Sequence, residues 1–391
     1  MVDRTLRRGL VPTAGLVVAS HLLAQAPTTT AWPVEAAAAG SRELAARIAA
    51  AEPLTLRDGG LCGVLGGAVV RLGGKAGVAA EATVQLPLPQ LLAGQVPLRF
   101  ALATEPVDAL RELTIVHHDG ANAVLHATVQ GKRGTEVRFT LASVVLLAER
   151  SDAAGTEAEG FLAATPCAEA DDAAIRRLAG ELAPEQAAPS VLAKALQPWI
   201  AAQPRQQRPT TLDAKALLTS GNHGICTMHA NFAAALLRSR NVPTRQLAVI
   251  PTNGMRLEMH RIVAFAADGR WQRFDPSGVH AEVPMRTCDS VVVACTSIED
   301  ERLGGKLRIG APLGCPYGQE LEIVRGQAFP FGPEFFWTQA RPLGAFAVDD
   351  ASLAAASAAW RRFLTRGVLD PAAERASACL ELETFAKAWR E

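Results

Sequence analysis

The sequence predicts an α+β fold in which an antiparallel β-domain precedes a mixed domain of helices and strands. Three observations lead there. Residues 61–150 read as short β-rich runs separated by Gly-rich and Asp-Gly punctuation. Residues 172–219 carry three helical runs, with Pro184, Pro204 and Pro209 falling between them. Residues 225–276 hold an apolar helix and then two strand-like runs joined by Asp268-Gly269.

The length of 391 residues fits two or three domains. Lys plus Arg equals Asp plus Glu at 39 each, so no overall field favours nucleic acid or an anionic membrane. Residues 1–26 have the form of an export signal. Arg4, Arg7 and Arg8 precede an apolar stretch over 9–23, and Ala24-Gln25-Ala26 matches a small-residue cleavage pattern, with Pro27 directly after it. Pro12, Ser20 and His21 make the stretch a poor permanent span. The expectation is an exported protein, periplasmic or extracellular.

Taken in order, residues 27–55 read as a loose alanine-rich linker with a short helix over 41–51. The β-domain, 56–150, has strands expected at 64–72, 82–86, 96–102, 113–118, 124–130 and 136–147. His117, His118 and His126 fall there without a third ligand type spaced for metal, and read as surface or packing residues. The small, polar, acidic stretch 151–160 reads as a linker. The second domain spans 161–298, with helices expected at 172–182, 190–202 and 211–219, and further strand over 279–297. Residues 299–391 read as a C-terminal extension. Its expected strands lie at 307–309 and 320–324, and its helices at 351–366 and 371–390, each introduced by an aspartate. The aromatic stretch 329–337 reads as packing beneath those helices, with a substrate groove as the other possibility.

Seven cysteines are compatible with an oxidising compartment. With Cys226 set aside, Cys62, Cys167, Cys288, Cys295, Cys315 and Cys379 leave three disulfides or none open. No C-x-x-C pair is present, which argues against a zinc framework.

The chemistry concentrates between Gly221 and Gly278. Gly221, Asn222 and Gly224 suit a tight turn into the helix at 225–240, which places Cys226 in the first turn. There, free N–H groups and the helix dipole stabilise a thiolate. Across the two-residue Asp268-Gly269 loop, Ala267 pairs Arg270, so Asp275 comes opposite Ile262 and diagonal to His260. A slip of one residue would turn the two side chains to opposite faces. Cys226, His260 and Asp275 thus read as nucleophile, base and orienting acid. The bland alternative is a small buried thiol and a structural histidine.

GICTMHANFAAALLRSRNVPTR, then His260, then WQRFDPS resembles the transglutaminase-like superfamily of cysteine enzymes. The resemblance covers roughly 161–293, with a fainter echo in VQLPLP and DGAN upstream. It implies a papain-like transglutaminase-core domain with Cys226, His260 and Asp275 as its catalytic residues. Arg238, Pro243 and Arg245 match the helix exit, and Trp271 matches the tryptophan ahead of the aspartate. Asn241 replaces the usual helix-ending glycine, and Arg261-Ile262 follows the histidine where the family carries Ala-Trp.

The implied substrate is a protein or peptide carboxamide, with no cofactor and no nucleic-acid partner. The acyl group would pass to water or to an amine. Two other classes stay open: a non-catalytic binding or structural module on the same fold, and a metal-bound Cys/His protein drawing on His223, Cys226, His229 and His260.

Overall fold

The structure, a computed structural model, describes residues 28–32, 34–38, 40–73, 79–118, 122–203, 211–219, 224–255, 260–303, 321–325, 327–330 and 336–366. The export-signal stretch, His223, Cys315, Cys379, residues 307–309 and the helix expected at 371–390 lie outside them. So do the side chains of the aromatic stretch 329–337.

The N-terminal half is built from β1 (Thr28–Ala31), α1 (Val34–Ala38), α2 (Ser41–Ala50), β2 (Gly59–Gly73), β3 (Ala80–Pro87), β4 (Gln95–Glu105), β5 (Leu110–His118), β6 (Asn122–Gly131) and β7 (Glu136–Ala148). Helices α3 (Ala173–Leu182), α4 (Pro189–Ala201), α5 (Ala214–Thr219) and α6 (Cys226–Arg238) follow. Then come β8 (Thr244–Pro251), β9 (His260–Ala267), β10 (Arg270–Phe274), β11 (Ser290–Thr296) and α7 (Ile298–Leu303). The chain returns through β12 (Leu321–Arg325), β13 (Gln327–Pro330), β14 (Phe336–Ala345) and α8 (Asp350–Arg366).

Two antiparallel sheets form a sandwich, one ordered β1-β5-β6-β3-β12 and the other β13-β2-β7-β4, with β14 also pairing β2. Their inner faces share one apolar core, with Leu72, Val84, Leu102, Leu113, Leu125 and Phe139 at its centre. The C-terminal segment therefore completes the N-terminal sandwich. α8 closes it by stacking Trp360 on Phe363 at 5.3 Å and setting both edge-on to Phe100.

Two stretches expected as linkers are built into the structure. Residues 27–55 supply β1, which pairs β5, and Trp32, which sits edge-on to Phe100 at 4.4 Å. Burying an indole outweighs the chain entropy that an alanine-rich composition suggests. Residues 151–160 run along the free edge of β10: the Trp271 N–H donates to the Asp152 carbonyl at 2.9 Å, and the Ala154 N–H to that of Gly269. Arg245 fastens this strap, pairing Asp152 at 3.1 Å while its guanidinium lies 4.4 Å over the Trp271 ring.

The third sheet, β10-β9-β8-β11, is antiparallel throughout. α6 packs on it through Phe232, Ala233 and Leu236 against Val263, Phe265 and Phe274. From Thr227 to Arg238 every residue of α6 is buried, because α3, α4 and α5 enclose its other sides.

β11 is the outer strand of this sheet, yet its edge is not open. Asn122 donates to the Cys295 carbonyl at 2.9 Å and accepts from its N–H at 2.7 Å. Gln95 does the same for Val292, at 2.7 Å each way. Gln90 donates to the Val293 carbonyl at 2.9 Å. Three buried side-chain amides from the sandwich thus stand in for a neighbouring strand.

Replacing Asn122 by leucine should orphan both polar groups of Cys295. The expected loss is about 1–3 kcal/mol per group, read as a lower urea midpoint. An unchanged midpoint would mean that water takes over both bonds.

Candidate active site

Helix α6 begins at Cys226, with Ile225 in extended conformation as its N-cap and no side chain capping the first turn. The Cys226 N–H is therefore one of the helix's free terminal donors. Gly224 turns the chain into the helix at a φ of 72°, in the left-handed region, and a Cβ there would lie 2.6 Å from Met228 Sδ. The glycine of the G-x-C motif is thus required twice, by backbone and by space.

The hairpin that carries the other two residues has the expected register. Arg270 pairs Ala267 and Phe274 pairs Val263. Asp268 and Gly269 form the two-residue loop with φ of 52° and 70°, as a type I′ turn requires. His260 opens β9, and Asp275 follows the last residue of β10.

The structure brings Cys226, His260 and Asp275 together. His260 Nε2 donates to Asp275 Oδ2 at 3.0 Å, and the imidazole stands close enough to the Cys226 thiol for each to shift the other's ionisation. With Nε2 committed to the carboxylate, Nδ1 is the nitrogen left for sulfur.

Asp275 has no solvent exposure and receives two more N–H donors, from Ser277 at 2.9 Å and His280 at 3.1 Å. Burial pushes its carboxyl up, but the imidazole and these N–H groups more than offset that and hold it below the usual carboxylate range.

The other two groups move in opposite directions. Burial raises the Cys226 thiol; hydrogen bonding to His260 and the charges of His260 and Arg261 reverse this and leave it below an ordinary thiol. Burial lowers His260, but its bonds to Asp275 and Cys226 carry it up to about 10. The two shifts act together to favour a thiolate–imidazolium pair over the neutral thiol and imidazole. Cys62, Cys167, Cys288 and Cys295 are free and buried, and burial pushes each of their thiols up.

Several supporting residues carry no motif. Gln197 on α4 donates to the carbonyls of Asp275 and His280, at 2.8 and 2.9 Å, and so fixes the turn after β10. His229, one turn along α6 from Cys226, shares a 2.9 Å hydrogen bond with Ser277 Oγ, tying α6 to the turn that carries Asp275. Its i, i+3 spacing from Cys226 is visible in the sequence, whereas its partner is not. Among the described residues no three His, Cys, Asp or Glu side chains converge on a metal position.

Residues 176–276 match the family model of the transglutaminase-like superfamily. The match is to a transglutaminase-like domain within the chain. A candidate cysteine protease of Cytophaga hutchinsonii has a similar fold at 13% identity, covering 73% of this chain and 92% of its own, with a TM-score of 0.50. A candidate protease of Parabacteroides distasonis ATCC 8503 matches at 16% identity, over 60% of this chain and 47% of its own, with a TM-score of 0.26. No curated protein matches the chain. No helix among the described residues is long and apolar enough to cross a membrane.

Gly224→Ala should strain the turn that presents Cys226. The left-handed conformation alone costs an alanine about 1–2 kcal/mol, so a lower denaturation midpoint and slower Cys226 alkylation are expected together. Wild-type values for both would remove the glycine's role.

Proposed function

We propose that this chain is a cysteine enzyme that cleaves or transfers carboxamide groups of a protein or peptide, with Cys226 as nucleophile, His260 as acid and base, and Asp275 as the group that orients His260. One observation carries the reading. A thiol at a free helix N-terminus stands beside an imidazole that is hydrogen-bonded to a fully buried carboxylate.

In the first step the Cys226 thiolate attacks the carbonyl carbon, and the negative charge moves to oxygen. The Cys226 N–H at the helix start is one donor for that oxyanion. The His260 imidazolium then protonates the departing amine as the C–N bond breaks, leaving an acyl-thioester and a neutral imidazole. Asp275 holds the ring so that one nitrogen serves this transfer throughout.

In the second step His260 takes a proton from water or from an acceptor amine, which attacks the thioester and releases Cys226. Hydrolysis is the favoured outcome, since the similar fold from Cytophaga hutchinsonii belongs to a candidate cysteine protease. Export, with removal of residues 1–26, belongs to the same reading and rests on the basic start, apolar run and Ala-x-Ala of the sequence. An intact, cytosolic N-terminus in a secreting host would overturn it.

The pair sets the pH dependence. Because the thiol is lowered and the imidazole raised, turnover should rise on the acid side as the thiolate forms. It should then fall as the imidazolium deprotonates toward pH of about 10. Alkylation needs only the thiolate and should not fall on the alkaline side.

Iodoacetamide with mass mapping should modify Cys226 ahead of Cys62, Cys167, Cys288 and Cys295. His260→Ala should move the labelling midpoint up toward the roughly 8.5 of a free thiol. Uniform labelling, insensitive to His260, would leave a non-catalytic module.

A further inference from the structure

Asp275 lies beyond Phe274, the last residue of β10 to pair with β9, so the sheet does not hold it directly. The turn from Asp275 to His280 supplies donors of its own to the carboxylate. The Ser277 N–H reaches Oδ1 at 2.9 Å and the His280 N–H reaches Oδ2 at 3.1 Å. The Gly278 N–H closes on the Asp275 carbonyl at 3.3 Å, with Gly278 at a φ of 74°. These bonds fix the carboxylate relative to the turn. They leave open what fixes the turn relative to His260.

Two helices do so. On α4, Gln197 Nε2 spends both of its hydrogens on the turn, one on the Asp275 carbonyl at 2.8 Å and one on that of His280 at 2.9 Å. It thereby grips the first and the last residue of the turn at once. From α6, His229 meets Ser277 Oγ between them. α4 is itself firmly seated. Trp199 stacks on Phe232 of α6 at 5.1 Å, with the rings 25° apart, and Leu196 and Ile200 share an apolar cluster with Val263 and Phe265 of β9. Gln197 therefore joins the turn to the same packed body that carries His260. Its bonds are only partly buried, so water could satisfy the two carbonyls in its place. Water could not tie them to α4.

We infer that Gln197 is a positioning residue for the site: by holding both ends of the 275–280 turn against α4, it keeps Asp275 Oδ2 within hydrogen-bond reach of His260 Nε2. The inference rests on the function proposed above. The His260–Asp275 bond is 3.0 Å long, and such bonds weaken steeply with misalignment. A turn able to pivot about the end of β10 would carry the carboxylate, and the donors that orient it, away from the ring together. An imidazole that loses this partner binds its proton less tightly. The tether should therefore show in the titration of His260.

The test follows the His260 imidazole by NMR in the full chain with labelled histidine, its resonance assigned with His260→Ala. Wild type is compared with Gln197→Met, Gln197→Ser and Asn122→Leu, each checked for cooperative thermal unfolding. Wild-type His260 should titrate toward about 10. Met fills the space without donors, and Ser leaves room for water. Both should bring the midpoint down by about one pH unit, a roughly tenfold loss of imidazolium above it. Ser carries the test should Met not fold. Asn122→Leu loosens the fold away from the site and should titrate like wild type. A folded Gln197 variant with the wild-type midpoint overturns the inference, as does a shift of the same size in Asn122→Leu. So does a wild-type His260 that titrates near the roughly 6.5 of a free imidazole. Iodoacetamide labelling of wild type separates the two readings: if Cys226 reacts no faster than Cys295, the nucleophile assignment fails, whatever Gln197 does to His260.

Discussion

Glu301 is the carboxylate on which the geometry of the core depends. It lies on α7, after the last strand of the third sheet, and its side chain and that of Arg238 are essentially without solvent contact. Oε1 and Oε2 each accept from Arg238 at 2.7 Å, and Oε2 also accepts from Thr165. Arg238 in turn donates to the carbonyls of Thr244 and Ala163. The far end of α6, the start of β8, the segment before α3 and α7 thereby meet at one point. Removing either partner of such a pair leaves a buried charge, at a cost of about 3–5 kcal/mol. The pair fixes where α6 ends, and so where Cys226 begins.

The parts of the site that were legible in sequence are those set by local chemistry. Asp268-Gly269 dictates a two-residue loop, the loop dictates the register, and the register brings Asp275 diagonal to His260. Gly224 announces the entry to α6, whose observed start at Cys226 lies one residue from the expected one. The roles of Glu301, Gln197, Gln90, Gln95 and Asn122 were not legible, although Asn122 closes the DGAN stretch. Each is a single polar residue whose partner is remote in the chain, as with Asn122 and Cys295, 173 positions apart. In sequence such residues look like surface.

The same limit explains the two stretches expected as linkers. Small and polar composition signals weak burial of side chains, but the strap at 151–160 is held largely by its backbone against β10. Hydrogen bonds of that kind leave no trace in composition. Arg245 was placed by its position in the motif; that it serves the strap, through Asp152 and Trp271, required the neighbouring chain to be seen.

The amides that cover β11 give the sandwich a part in the core's solubility. A fragment confined to 161–298 would keep α6 and the hairpin. It would lose Glu301 beyond one boundary and Gln90, Gln95 and Asn122 beyond the other. β11 would then present bare donors and acceptors at residues 292, 293 and 295, the kind of open edge that recruits a strand from another molecule. The sandwich acts on the core as a permanent, covalently attached cover for this edge, so the smallest piece of this chain that keeps the edge closed extends well past the transglutaminase-like stretch.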